Sequence, residues 1–337
     1  MRRNLFISAC LLFATCAAAQ IGGGAFIGLR YDSNICALSD GELDELRNGK
    51  TDFLISTADD AILRMGGDIS ADFRIGDYRI EPGISAVAAS YIRNFDKSYV
   101  WTGADCAVRR KGTRLKLSAS FVPFYNSRAY TDDDSHSTQW ASYWSATAKI
   151  ELRQRIFWGM YIGGRYEFRR ACYNDYFPEY DSDRNGFTCF AVRYNPVNIE
   201  AGYTFYSSAA RGYDEARETR ETSEESDISY EQDEFYLKAG RDFEFLSRKL
   251  GIGIGVDFAH RAYKSQKPYS LDPLHVGRDD WYFTIASDAK YFITENIWLK
   301  LATEFSMRKT RSVLNADIPR LRDYEKSEIT IIVGRDF

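Results

Sequence analysis

Polar and apolar residues alternate along nearly the whole of this chain, with a period of two. In the stretch IWLKLATEFSM, residues Ile297, Leu299, Leu301, Thr303, Phe305 and Met307 fall on one face, and Lys300, Glu304 and Arg308 on the other. An earlier stretch behaves alike, with Leu63, Met65, Ile69, Ala71 and Phe73 set against Arg64, Asp68, Ser70, Asp72 and Arg74. A helical period would scatter these charges through the apolar stripe, whereas successive side chains of a strand point to opposite sides and keep the two classes apart. The pattern predicts about fourteen strands, at 22–35, 60–75, 78–93, 98–110, 113–127, 138–153, 157–173, 185–194, 197–211, 229–245, 249–264, 279–292, 297–310 and 323–337, with ends defined to about 2–4 residues.

The connections between these strands alternate in length. Short ones fall at 76–77, 110–112, 154–156, 195–196, 246–248 and 293–296, and longer ones at 36–59, 94–97, 128–137, 174–184, 212–228, 265–278 and 311–322. Outer-membrane barrels turn tightly on the periplasmic side and loop out on the other, so this alternation leaves both chain ends periplasmic. Beyond the N-terminal segment no run of about 18 apolar residues occurs, which excludes a spanning helix. A closed barrel is the other way to cross a bilayer with every backbone group paired. The expected fold is all-β, a transmembrane antiparallel up-and-down barrel.

Composition sharpens this picture. Aromatic residues make up 15% of the chain, 23 of them Tyr, while the mean hydropathy is -0.40. A soluble core does not combine these values; a barrel with one face on lipid and the other on water does. Outward aromatics are expected in two girdles. Phe73, Tyr78, Trp158, Phe243, Tyr291 and Phe337 belong to the periplasmic one, and Tyr31, Tyr125, Trp144, Phe168, Phe205, Trp281 and Phe305 to the outer one. A formal net charge of -4, with acids and bases mixed everywhere, argues against a nucleic-acid partner.

The opening residues, MRRNLFISACLLFATCAAAQ, follow the order of an export signal. Arg2 and Arg3 precede an apolar run from Leu5 to Phe13 that is too short to span a bilayer, and Ala17, Ala18 and Ala19 form a small-residue cleavage site. Residues 1–19 are expected to be a signal peptide and 20–337 the barrel. Lipid attachment at Cys16 is the competing reading, and Thr15 before it fits the required small residue poorly.

The last strand, EITIIVGRDF, places Ile329, Ile331 and Val333 on one face and ends on Phe337. It resembles the C-terminal strand of Gram-negative outer-membrane barrels of porin-like kind. That resemblance implies that Phe337 is read as an assembly signal by the barrel-assembly machinery. Arg335 departs from the pattern, and its long side chain suits a position at the headgroups. The first strand, GLRYDSNI, is similar to the opening strand of many proteobacterial barrels, including those of surface-lipoprotein assembly modifiers, whose helical-repeat domain has no counterpart here. The fold-level resemblance covers the chain after the signal and says little about a substrate.

Candidate chemistry is sparse. His260 shares the lipid-facing parity of its strand, whereas His136, in TDDDSHS, and His275, in LDPLHVG, fall in outer loops without a converging Ser and Asp. No enzyme activity, metal or cofactor is expected. Cys36, Cys106, Cys172 and Cys189 lack zinc-type spacing. Cys172 and Cys189 flank one loop, but alternation sets Cys172 outward with Tyr166 and Phe168 and Cys189 inward with Ala191 and Arg193, which opposes a disulfide. The segment GYDEARETRETSEESDIS carries seven acidic residues from Asp214 to Asp227 and is expected to be a solvated surface loop rather than an inward constriction.

The inward face is the informative one. Residues expected to line a pore are Arg30, Arg64, Asp68, Asp72, Arg74, Arg79, Glu81, Asp105, Arg109, Glu151, Arg165, Glu167, Arg193, Lys238, Asp257, Lys300 and Glu304. So many charges require water or partners. Fourteen strands lie between barrels filled by their own side chains and barrels that leave a channel. Two functions are open: a narrow polar pore in the cell outer membrane for passive passage of small hydrophilic solutes, or a non-conducting structural or assembly barrel that partners surface lipoproteins or an envelope complex. Outer-membrane lipid, lipopolysaccharide and the assembly machinery are the expected partners.

Overall fold

The computed structural model describes residues 20–49, 53–131, 136–211 and 226–337. The expected signal peptide therefore lies outside the described residues, as do most of the acidic stretch of 212–228 and Asp132 to Ser135. Within the described residues fourteen strands form one closed antiparallel barrel in which each pairs with its sequence neighbours and the first pairs with the last. They are β1 (Gln20–Asp32), β2 (Asp60–Ile75), β3 (Tyr78–Tyr91), β4 (Tyr99–Arg110), β5 (Thr113–Thr131), β6 (Thr138–Phe157), β7 (Met160–Tyr173), β8 (Ser182–Arg193), β9 (Asn198–Ala210), β10 (Tyr230–Phe245), β11 (Arg248–Tyr263), β12 (Arg278–Phe292), β13 (Ile297–Ser312) and β14 (Tyr324–Asp336). The strand ends that flank the seven longer connections, L1 (33–59), L2 (92–98), L3 (132–137), L4 (174–181), L5 (211–229), L6 (264–277) and L7 (313–323), all lie at one end of the barrel. Strand β6 runs past the turn expected at 154–156, because an irregularity between Arg155 and Phe157 keeps it paired and moves the turn to Trp158-Gly159.

Alternation sorts the side chains as a membrane requires. Leu29, Met65, Ile84, Leu117, Leu237, Ile254, Leu301 and Ile331 stand exposed on the outside, while the opposite face carries the charges. An exposed apolar belt of this kind is intolerable in water and is what a lipid-embedded exterior consists of. Closure leaves no strand edge to present unpaired backbone to hydrocarbon. The protein is a closed fourteen-stranded β-barrel with an exterior suited to lipid, and its short-turn end is termed periplasmic and its loop end outer. The seam between β1 and β14 is completed by Phe337, whose amide donates to the Gly23 carbonyl at 2.9 Å and whose carbonyl accepts from the Gly23 amide at 3.0 Å. Gly23 has to be glycine for this, since a Cβ there would lie 2.5 Å from the Asp68 carbonyl oxygen and 2.9 Å from the Phe337 ring.

Two helices were not foreseen. L1 contains a helix, α1 (Asp40–Arg47), with a reciprocal capping box in which Ser39 accepts from the Glu42 amide and Glu42 accepts from the Ser39 amide. The loop folds inward rather than outward. Ile35, Cys36 and Leu38 pack against Ile62, Ala89 and Tyr91, which are lumen-facing residues of β2 and β3, with Leu43, Leu46 and Phe53 around them. Leu38 is fully buried. A short helix of L7, α2 (Ile318–Arg322), lies beside α1, and its buried Ile318 fixes it over the same end of the lumen.

Candidate functional site

Cross-strand register settles which side chains share the lumen, because directly paired residues point to the same side. It places Arg30, Arg64, Asp68, Asp72, Arg74, Arg79, Glu81, Asp105, Arg109, Glu151, Arg165, Glu167, Lys238, Asp257, Lys300 and Glu304 on the lumen face. Arg193 is corrected. It pairs with Met160 while Ala191 pairs with the outward Ile162, so Arg193 lies on the outer face at the periplasmic rim. The lumen side of β8 is instead Arg184, Gly186, Thr188, Phe190 and Val192. Two apolar residues facing in, with Cys189 and Ala191 facing out, leave this strand no contrast of polarity to read.

The same correction moves Cys189 outward, to the side of Cys172. They remain apart: Cys189 pairs with Gly164, eight positions along β7 from Cys172, or about 27 Å of strand. The four described cysteines are free. Tyr125 is a second correction. A bulge between Val122 and Tyr125 inverts the parity of β5, so Tyr125 pairs with lumen-facing Tyr143 instead of joining the outer girdle.

The lumen has two halves of different character. On the periplasmic side charges brace the wall between adjacent strands. Arg79 reaches Asp72 and Glu81, both at 2.9 Å, and Glu81 also receives Arg109 at 3.0 Å. Glu151 accepts from Arg153 at 2.6 Å and Arg165 at 2.7 Å, while Glu167 takes Lys149 at 2.7 Å and Arg184 at 2.6 Å. Space remains within this half. A cavity of about 650 Å³ is bordered by Asp72, Arg79, Glu81, Asp105 and Arg114, and another of about 500 Å³ by Glu200, Lys238, Asp257, Asp288 and Glu304. Gly253 and Gly255 make room for the second. Asp257 and Glu304 form no ion pair among the described residues and face this open interior, while Arg64, also without an ion pair among the described residues, lies nearer the loop end of β2.

The outer half is packed with tyrosine and arginine, which the sequence reading did not single out. Tyr99, Tyr125, Tyr143 and Tyr173 follow one another across β4 to β7 with ring centroids 5.2, 5.6 and 4.9 Å apart. Across the lumen Arg261 lies 4.0 Å from the Tyr230 ring centroid, Arg278 4.6 Å from Tyr263 and Arg308 4.9 Å from Tyr324. Lys97 of L2 is fully buried and donates to the carbonyls of Asn126 at 2.8 Å and Ser127 at 2.6 Å. The loops seat on this collar. Glu42 of α1 pairs with Arg128, and Arg308 donates to the Arg322 carbonyl of α2 at 2.6 Å.

Two of the histidines have defined partners among the described residues. His260 stacks on Trp281 outside the barrel, with ring centroids 4.0 Å apart, and pairs with Asp279 at 3.3 Å. His275 of L6 holds buried Asp272 through Nδ1 at 2.7 Å. Burial alone would push the Asp272 carboxyl up, but hydrogen bonds from His275, Ser265 and the Asp227 amide outweigh it and hold the carboxyl below its ordinary value. Ser265 thus bonds the carboxylate rather than the free imidazole nitrogen, and the cluster clamps L6 to the end of L5. Among the described residues no group of His, Cys, Asp and Glu is arranged to hold a metal ion.

No family model matches the chain, and no curated protein matches it. Solved structures similar to it include the outer membrane protein OpdK from Pseudomonas aeruginosa, at 10% identity over 94% of this chain and 99% of that one, with a TM-score of 0.45. The outer membrane protein OmpT of Vibrio cholerae is similar at 6% identity over 95% and 97%, with a TM-score of 0.45. An anion-selective porin from Comamonas acidovorans is similar at 9% identity over 95% and 99%, with a TM-score of 0.43.

Proposed function

We propose that this barrel is a narrow polar pore that passes small hydrophilic solutes across the outer membrane, with its outer mouth closed down by L1 and L7. The observation that carries this reading is the periplasmic half of the lumen. Asp257 and Glu304 lack ion-pair partners there and border open space, an arrangement that is stable only if the space holds water. A barrel with no use for a wet interior would be expected to pair such charges or replace them with apolar residues. The reading includes no catalytic role.

A second reading, a non-conducting barrel that partners surface lipoproteins or an envelope complex, is favoured by one specific observation, the packed tyrosine and arginine collar of the outer half. Planar-bilayer recording of refolded protein separates the two. Discrete conductance steps at low voltage support the pore, whereas correctly folded barrels that pass no current under any applied voltage make the structural reading the better one.

A further inference from the structure

Charges on the outward face are sorted by the two edges of the apolar belt. At the outer edge most of them are paired within the protein, with Arg311 and Glu325 the exceptions among the described residues. Arg170 meets Asp183 at 2.8 Å, Arg211 meets the same carboxylate at 3.1 Å, Lys264 meets Glu231 at 2.9 Å, His260 meets Asp279, and the Tyr203 hydroxyl donates to Asp233. At the periplasmic edge the outward charges on the strands are arginines: Arg110 on β4, Arg193 on β8, Arg241 on β10, Arg248 on β11 and Arg335 on β14. Their strand partners Tyr78, Met160, Ile252, Phe245 and Ile297 fix them on the outside. None of them forms an ion pair among the described residues, and all are exposed. Arg110 and Arg241 lean on the rings of Tyr78 and Phe243, at 5.1 and 5.0 Å.

The spacing between the two edges matches a bilayer. From Asp183 to Arg193 on β8, at about 3.4 Å per residue and a tilt of about 40°, the belt spans about 25 Å. The guanidinium groups therefore emerge at headgroup depth in the periplasmic leaflet, with their stems along apolar surface. Guanidinium binds phosphate through paired, charge-assisted hydrogen bonds, and among the described residues no carboxylate lies within ion-pair distance of these five arginines.

We infer that Arg110, Arg193, Arg241, Arg248 and Arg335 form a belt that binds the phosphate groups of phospholipids in the periplasmic leaflet. The belt rests on the membrane-barrel assignment and is independent of whether the lumen conducts.

The test is native mass spectrometry of the full-length detergent-solubilised barrel with phosphatidylglycerol, and separately with an uncharged galactolipid. Replacement of Arg193, Arg241 and Arg335 by Gln is expected to weaken phosphatidylglycerol retention by about five-fold for each arginine removed, with galactolipid retention unchanged. A control carrying Lys264→Gln and Lys309→Gln at the outer edge is expected to retain lipid as the unaltered barrel does. Heat-modifiable migration reports that each variant is folded. On the unaltered barrel, rising salt is expected to displace phosphatidylglycerol selectively, which keeps the test available if a variant fails to fold. Equal phosphatidylglycerol retention by the arginine variant, equal loss in the outer-edge control, or retention insensitive to salt would each overturn the belt.

Discussion

Asp272 and His275 lie within L6, and their bond is the joint between two outer loops. A carboxyl held below its ordinary value stabilises the fold above the usual carboxylate range and loses that contribution as pH falls through the depressed value. L6 is therefore expected to stay docked at neutral pH and to loosen below about pH 4, with faster hydrogen exchange across 264–277. Asp272→Asn is expected to remove most of that pH dependence and to loosen L6 at neutral pH. Unchanged exchange in acid would refute the role given to this pair. Within the lumen, Arg79 is shared by Asp72 and Glu81, whereas Arg64 and Arg74 have no carboxylate partner among the described residues. Neutralising all three arginines leaves Asp68, Asp72 and Glu81 with less opposing charge. If the pore conducts, its reversal potential is expected to shift toward cation preference, and no shift would place these residues away from the ion path.

Single residues also show where the sequence was legible. The charges facing the lumen stand out because water on one side of the wall and lipid on the other demand opposite chemistries, and no Arg64 or Glu304 survives on the lipid side at mid-depth. Arg193 was misread because β8 has Phe190 and Val192 facing in, so neither side of the strand is distinctly polar. Tyr125 was misread because a bulge after Val122 reverses the parity of β5 until a second irregularity before Arg128 restores it. The lumen tyrosines escaped notice for a different reason. A phenol suits either face, with an apolar ring for packing and a hydroxyl for water.

At the scale of elements, L1 is the decisive one. Its helix did leave a trace, since Ser39 and Glu42 have capping-box spacing, Leu38 and Leu43 have the spacing of a hydrophobic staple across the N-cap, and Leu46 follows Leu43 by three. What the chain does not show by itself is that this small amphipathic unit turns into the lumen. That outcome follows from Ile62, Ala89 and Tyr91, apolar or aromatic positions on an otherwise charged face, which only the closed barrel brings together beneath it. Leu38→Ala is expected to cost about 3 kcal/mol of L1 docking, in the range of buried leucine truncations. Removal of residues 37–57 is expected to give a larger single-channel current than the intact chain. Identical currents in the intact and shortened barrels would show that the constriction lies elsewhere.

At the scale of the whole molecule, the barrel is a cup, hollow toward the periplasm and filled toward the cell exterior. Its circumference is completed where β1 meets β14, and the Phe337 and Gly23 backbone bonds fasten the periplasmic end of that seam. Deleting Phe337, or the substitution Gly23→Val, is expected to lower the yield of heat-modifiable barrel in the outer membrane while synthesis continues, and an unchanged yield would refute the fastening. The other end of the same seam is fastened by the start of L1. Lys326 bridges Asp32 and Glu328, both at 2.8 Å, the Ser33 amide donates to the Ser327 carbonyl at 3.0 Å, and Asn34 grips Leu38 on one side and the Glu325 carbonyl on the other. Filling the cup and locking its rim are thus mechanically one event. A chain whose L1 has not found its place inside holds an unfinished seam, so a late assembly intermediate is expected to be open both as a channel and as a sheet. Pulse-labelled Leu38→Ala should therefore acquire heat resistance more slowly than the parent chain, although the altered residue lies in a loop and touches neither β14 nor lipid.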